Sequence, residues 1–182
     1  MPTWYTFNMK LILLAGNGLS NKKWIEDIEH ALKPLFGETY VQYYKHWETG
    51  GKLIDLNEEL SRLQDLTKNF SEHTFFAKSA GTLLVLKGVK EGKLKPSRCI
   101  FVGTAIGWGR AEHFDVDLWL ENYSIPTLFI QKSFDPACSY HELEELLKDK
   151  NAKNFSLEET EGNDHSYNDM ETLKDVVKNF VL

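Results

Sequence analysis

A chain of 182 residues, 42% hydrophobic and 26% charged, can bury a sizeable core as one domain and is too ordinary in composition for a disordered or fibrous protein. Its formal net charge of −6, with Lys and Arg scattered, argues against nucleic acid and anionic membranes as partners, because both repel an acidic surface. Two cysteines, Cys99 and Cys138, are too few for a disulfide framework, and no segment approaches the ~20 apolar residues that span a bilayer. No secretion signal is expected, since the apolar run Leu11 to Ala15 is short and polar residues precede it, so a cytoplasmic location is the default.

Strand and helix signals alternate along the chain, without repeats, low-complexity tracts or Pro/Gly-rich linkers. Met9 to Ala15 reads as the first strand, followed by a turn at Gly16-Asn17-Gly18-Leu19-Ser20-Asn21. Trp24, Ile25, Ile28, Leu32 and Leu35 then recur at helical spacing. Tyr40 to Tyr44 is predicted as a second strand, and Leu53, Leu56, Leu60, Leu63 and Leu66 mark a second helix. Thr74-Phe75-Phe76 is the third strand, Thr82 to Lys87 opens a helix, and Lys87 to Ser97 is a charged connection. Cys99 to Gly103 is the fourth strand, Thr104 to Gly109 a loop, and a short helix lies around Asp115 to Glu121. Ile125 to Gln131 is the fifth strand, Tyr140 to Leu147 a helix, Asn154 to Glu158 a weaker sixth strand and Met170 to Val181 a closing helix. This order predicts an α/β fold, a three-layer sandwich with a mostly parallel six-stranded sheet. Chemistry in such a sheet sits at the C-terminal ends of the strands.

The segment between the third strand and its helix carries the strongest signal. Ala77-Lys78-Ser79-Ala80-Gly81 is a small-x-Ser-x-Gly turn between a strand and a helix, the layout of a nucleophile elbow. Such a turn is so tight that its flanking positions must be small, and it projects the serine above the sheet at the positive end of a helix. Ala77 stands where the pattern has Gly and still meets the steric need. The bland reading of Ser79 is a cap on the helix. A serine hydroxyl needs a base, and the base needs an acid to fix its tautomer. In this architecture the chain order is serine, acid, histidine. Asp135-Pro136 follows the fifth strand and His165 follows the sixth, in that order. Asp115, Asp117 and Asp164 remain alternative acids, and His46, His113 and His141 rival bases, none of which follows the last strand.

Ala15-Gly16-Asn17-Gly18, Ala77-Lys78-Ser79-Ala80-Gly81, Asp135-Pro136 and Asp164-His165-Ser166, taken in order, resemble the α/β-hydrolase superfamily over nearly the whole chain. The resemblance is greatest to small, nearly lidless serine hydrolases of the retinoblastoma-binding-protein hydrolase type. It implies a minimal α/β-hydrolase fold over residues 1–182 and a carboxylesterase-like activity on a small ester, thioester or amide, by a monomer or homodimer. Ser79 would attack, His165 would act as base and Asp135 would hold the imidazole, with Asn17 and Ala80 supplying oxyanion-hole N–H groups and Gly18 as a second choice. No cofactor or metal is required by that chemistry. A non-catalytic binding or scaffold protein that keeps the fold is the alternative.

Trp47, Trp108, Phe114 and Trp119 are candidates for an aromatic substrate wall, with Trp108, between Gly107 and Gly109, preferred. Trp119 reads equally as core. Lys78 either steers an anionic substrate or is solvated. Cys99 is predicted as a buried core thiol, and Cys138 lies in the Asp135 loop with no charge partner to activate it. Gly16-x-Gly18 fails as a dinucleotide fingerprint, because position 21 is Asn and the second strand ends without an acid.

Overall fold

The computed structural model of the chain describes residues 9–182. The expectation about a leader falls partly on residues 1–8, outside that range. The strands are β1 (Lys10–Leu14), β2 (Glu38–Gln42), β3 (His73–Lys78), β4 (Arg98–Val102), β5 (Thr127–Lys132) and β6 (Phe155–Thr160). They form one sheet in the order β2-β1-β3-β4-β5-β6, and every neighbouring pair is parallel. The helices are α1 (Asn21–Leu32), α2 (Lys45–Thr49), α3 (Leu56–Thr67), α4 (Ala80–Lys90), α5 (Ile106–Ala111), α6 (Val116–Leu120), α7 (Tyr140–Asp149) and α8 (Met170–Val181).

The central strands are apolar runs because both faces are covered, the usual pattern of a parallel sheet. Their residues alternate between two cores at the two-residue period of a strand. Leu11, Leu13, Phe76, Ile100, Val102, Leu128 and Ile130 pack beneath α1 and α8, whose Trp24, Ile25, Ile28, Leu173 and Val177 complete that layer. Ile12, Leu14, Phe75, Ala77, Cys99, Phe101 and Phe129 face the opposite layer, built from α3, α4, α6 and α7. The edge strands are less covered: only Gln42 is buried in β2, and no residue of β6 is. The three-layer expectation is met, with a sheet that is parallel throughout.

Some boundaries differ from the sequence reading. The second strand lies at Glu38–Gln42, two residues earlier than predicted. Tyr44 leaves the sheet and buries its ring, its hydroxyl donating to the Ala15 carbonyl at 2.7 Å. Residues 45–49 form the short α2, closed by Gly50 in the left-handed region at φ 75°. Helix α4 runs on to Lys90, into the stretch predicted as a connection. The predicted loop at Thr104 to Gly109 contains helix α5, although Gly107 and Gly109 both disfavour a helix. Tertiary contact outweighs that propensity. The Gly107 N–H donates to the Ala137 carbonyl at 2.7 Å, and a β-carbon at Gly107 would lie 2.8 Å from the same oxygen. The small residue therefore lets α5 rest directly on the loop that carries Asp135.

The weight of the β5 core is testable. Phe129 is fully buried, edge-on to both Phe101 and Phe155 at 5.4 and 6.2 Å. Phe129→Ala should lower unfolding free energy by about 3–5 kcal/mol in chemical denaturation. Phe134→Ala, at a side chain that is 73% exposed, should stay within about 0.5 kcal/mol of the parent.

Candidate active site

Ser79 adopts φ 53° and ψ −119°, a conformation that costs a non-glycine residue of order 1–3 kcal/mol. Its neighbours hold it there. The Ser79 N–H donates to the Val102 carbonyl on β4 at 3.0 Å, and the Gly81 N–H donates to the Ala15 carbonyl beyond β1 at 3.1 Å. A β-carbon at Gly81 would stand 2.8 Å from that Ala15 oxygen, so glycine two residues after Ser79 is a steric requirement of helix α4 crossing close over the end of β1. The turn thus presents the serine at the C-terminal edge of the sheet, with the start of α4 immediately behind it.

Residues distant in the chain converge there. His165 Nε2 lies 2.9 Å from Ser79 Oγ. The other ring nitrogen, Nδ1, faces Asp135 at 2.9 Å from Oδ1 and 2.8 Å from Oδ2. The carboxylate side chain is fully buried, while the imidazole keeps 30% of its surface open. Asp135 Oδ1 also accepts the Ala137 N–H at 2.8 Å, and Oδ2 accepts the Tyr167 hydroxyl at 2.7 Å. Burial pushes the Asp135 carboxyl up, but the hydrogen bonds from His165, Tyr167 and Ala137 outweigh it and hold the group below the usual carboxylate value. Burial, then its bond to Asp135, keeps the Tyr167 hydroxyl protonated well above the usual range.

The loop after β1 is held equally firmly. The Asn17 carbonyl accepts Trp47 Nε1 at 2.7 Å and contacts His46 Nε2 at 2.8 Å. The Asn17 side chain spans to the segment before α3, donating to the Lys52 carbonyl and accepting the Ile54 N–H, both at 2.8 Å. Among the described residues, neither the Asn17 nor the Ala80 backbone N–H is donated to a backbone or side-chain acceptor.

Asn17, Gly18, Asn21, Ser79, Ala105, Trp108, Pro136, Ala137 and His165 line a cleft of about 440 Å³. Trp108 and Gly18 therefore line the same cleft as Ser79 and His165. Trp47 does not line the cleft; it braces the Asn17 carbonyl. Phe114 and Trp119 line a separate depression with Leu53 and His113, and Phe114 meets Trp108 edge-on at 5.8 Å. Lys78 is neither solvated nor at the cleft wall. It is 7% exposed, its ammonium 4.7 Å over the Trp24 ring and donating to Asn21 Oδ1 at 3.0 Å. Desolvation lowers its pKa, and the charges of Asp135 and Asp164 partly offset that.

The alternative residues are engaged elsewhere. Asp117 pairs with Arg110, Asp164 with Lys132, and Asp115 stands before α6. His141 is an exposed side chain on α7. Burial pushes both cysteine thiols up to about 12, so neither is a thiolate at neutral pH. Among the described residues no three His, Cys, Asp or Glu side chains are grouped to hold a metal ion, and no helix is long and apolar enough to cross a membrane. Nothing in the sequence alone singles out Asn21 or Tyr167. Asn21 could be read as a cap at a helix start, but its side chain donates to the Gly18 carbonyl at 3.0 Å and accepts from Lys78. Tyr167 sits in a loop with no periodicity to betray its direction.

No protein-family model and no curated protein matches the sequence. Solved structures do. Est1E from Butyrivibrio proteoclasticus, in a structure with ferulic acid bound, superposes with a TM-score of 0.73 at 18% identity, covering 98% of this chain and 89% of its own. A monoacylglycerol lipase from Paleococcus ferrophilus superposes with a TM-score of 0.68 at 13% identity over 96% of each chain. A serine hydrolase involved in carbazole degradation, CarC, gives 0.71 at 12% identity over 97% of this chain and 92% of its own. The chain has the α/β-hydrolase fold.

The Asp135 environment predicts a pH signature. Its pKa is depressed by folding, so its contribution to stability is present above the unfolded carboxyl value of about 3.9 and is lost as pH falls through the lower folded value. Chemical denaturation of the parent and Asp135→Asn should show the largest stability gap at and above about pH 5, shrinking steadily below about pH 4.

Proposed function

We propose that the protein is a serine hydrolase that cleaves a small carboxylic ester, thioester or amide through an acyl-enzyme on Ser79. The observation that carries this reading is the continuous line from Ser79 Oγ through His165 to the buried Asp135 carboxylate, with contacts of 2.9 and 2.8 Å. The esterases and lipases that share the fold support it by analogy.

A substrate carbonyl enters the cleft above Ser79. As Ser79 Oγ bonds to the carbonyl carbon, its proton passes to His165 Nε2, and Asp135 stabilises the imidazolium through Nδ1. The carbonyl oxygen becomes an oxyanion, met by the Ala80 and Asn17 N–H groups, each such donor being worth about 10²–10³ in rate. Collapse of the tetrahedral intermediate breaks the bond to the leaving group, which departs with the proton from His165. Water then adds to the acyl carbon while His165 takes its proton. The second collapse releases the acid and returns that proton to Ser79 Oγ.

The cleft walls narrow the substrate class. Ala105, Trp108, Pro136 and Ala137 are apolar, and no lysine, arginine, aspartate or glutamate is among the lining residues. Such a surface suits uncharged acyl or aryl groups. The likeness to the nearly lidless retinoblastoma-binding-protein type rests on the motifs quoted above and is supported by the short connection between β4 and β5, which holds only α5 and α6.

A fluorophosphonate probe should label the parent at Ser79, and Ser79→Ala should lose both the label and at least about 10³-fold in hydrolysis of a short p-nitrophenyl ester. Hydrolysis that survives Ser79→Ala intact would contradict the mechanism.

A further inference from the structure

We propose that Tyr167 is a positioning residue of this reaction: its hydroxyl, aimed at Asp135 Oδ2, fixes the orientation of the carboxylate that steers His165. The proposal rests on the hydrolase reading of the site. The direction of the hydroxyl is set by its two partners. The Lys132 N–H donates to the Tyr167 oxygen at 3.0 Å, so the phenolic proton turns to the carboxylate, which accepts it at 2.7 Å. An ionised carboxylate has no proton to give back.

Among the described residues, loss of this bond would leave Asp135 Oδ2 with the imidazole as its sole partner, and the Ala137 N–H on Oδ1 as the one remaining bond from outside the serine–histidine line. A fully buried carboxylate with so few donors is costly to keep charged and free to turn. The tyrosine is itself clamped. Trp24 Nε1, from α1, donates to the Tyr167 carbonyl at 2.8 Å. The Lys132 ammonium lies 5.3 Å over the ring, and the ring edge fills the space where a β-carbon at Gly103 would stand, 2.6 Å from Tyr167 Cε2. Tyr167 thus ties the ends of β4 and β5 and helix α1 to the acid. It meets the His165 ring edge-on at 6.2 Å and does not line the cleft, so it acts on the chemistry through Asp135 and not on substrate.

The other ionisable groups facing this cluster are otherwise occupied. Lys132 pairs with Asp164, Lys78 donates to Asn21, and the Cys138 thiol is neutral with its pKa pushed up to about 12. None of them donates to the carboxylate. Removal of the Tyr167 hydroxyl therefore leaves the carboxylate free to turn out of line with the ring, and leaves more charge on Oδ2 to hold a proton on the imidazole.

The test compares parent, Ser79→Ala, Tyr167→Phe, Asp135→Asn and the Tyr167→Phe/Asp135→Asn double variant with a short p-nitrophenyl ester. Tyr167→Phe should lower kcat about tenfold with KM within about twofold, and should move the ascending limb of kcat/KM to higher pH. In the Asp135→Asn background the same change should cost less than about twofold, because the acceptor charge is already gone. Should Tyr167→Phe fail to fold, replacement of Tyr167 by the more acidic 3-fluorotyrosine keeps the ring and should move the limb to lower pH. A folded Tyr167→Phe with unchanged kcat and limb, an unmoved limb with 3-fluorotyrosine, or an undiminished cost in the Asp135→Asn background would overturn the positioning role while leaving the hydrolase reading intact. Absence of Ser79-dependent turnover in the parent would overturn both.

Discussion

Burying a carboxylate away from water is expensive unless its lone pairs are met, and at Asp135 that requirement shapes the site. The side chain is fully buried, yet its oxygens are met by the imidazole of His165, the hydroxyl of Tyr167 and the N–H of Ala137. These three partners come from two loops, the one after β5 and the one after β6. Satisfying the acid therefore fixes both loops at once, and fixing both places the imidazole over the serine. The same bonds that keep Asp135 charged are those that aim His165.

The sheet makes this convergence possible. With every strand parallel, the loops after β1, β3, β5 and β6 all emerge at one edge. Asn17, Ser79, Asp135 and His165 each follow one of those strands. The strained Ser79 backbone is tolerated because β4 and the end of β1 hold it on both sides, through the Val102 and Ala15 carbonyls. That strain is of order 1–3 kcal/mol, an amount a core of this size can carry. The Asn17 loop is pinned from the opposite side by Trp47 and by the segment before α3. The result is a cleft whose polar atoms are held in place by the fold itself.

Much of this architecture was legible in the chain because its causes are local. The strands β1, β3, β4 and β5 are apolar runs bounded by turn residues, and α8 matches its predicted limits at Met170–Val181. The order of serine, acid and histidine after successive strands also survives without knowledge of contacts. What escaped depends on distant neighbours. Helix α5 contains two glycines and reads as a loop; it forms because α5 must lie against the Ala137 carbonyl. Tyr43 and Tyr44 have strand-like side chains, but Tyr44 turns in to reach Ala15. The position of Lys78 is recoverable in part: two residues after Phe76, it shares the sheet face covered by Trp24, and its ammonium ends against that ring and Asn21. Tyr167 carried no comparable signal, since its partners Lys132, Asp135 and Trp24 are remote in sequence and its own loop has no period.

The most direct measurement of the central claim is a crystal structure of the protein after reaction with a small phosphonate ester. Phosphorus should be bonded to Ser79 Oγ, with one phosphoryl oxygen within hydrogen-bond distance of the Asn17 and Ala80 N–H groups and His165 still bridging to Asp135. Phosphorus attached elsewhere, or an adduct at Ser79 whose oxygen points away from both N–H groups with the imidazole swung out, would contradict it.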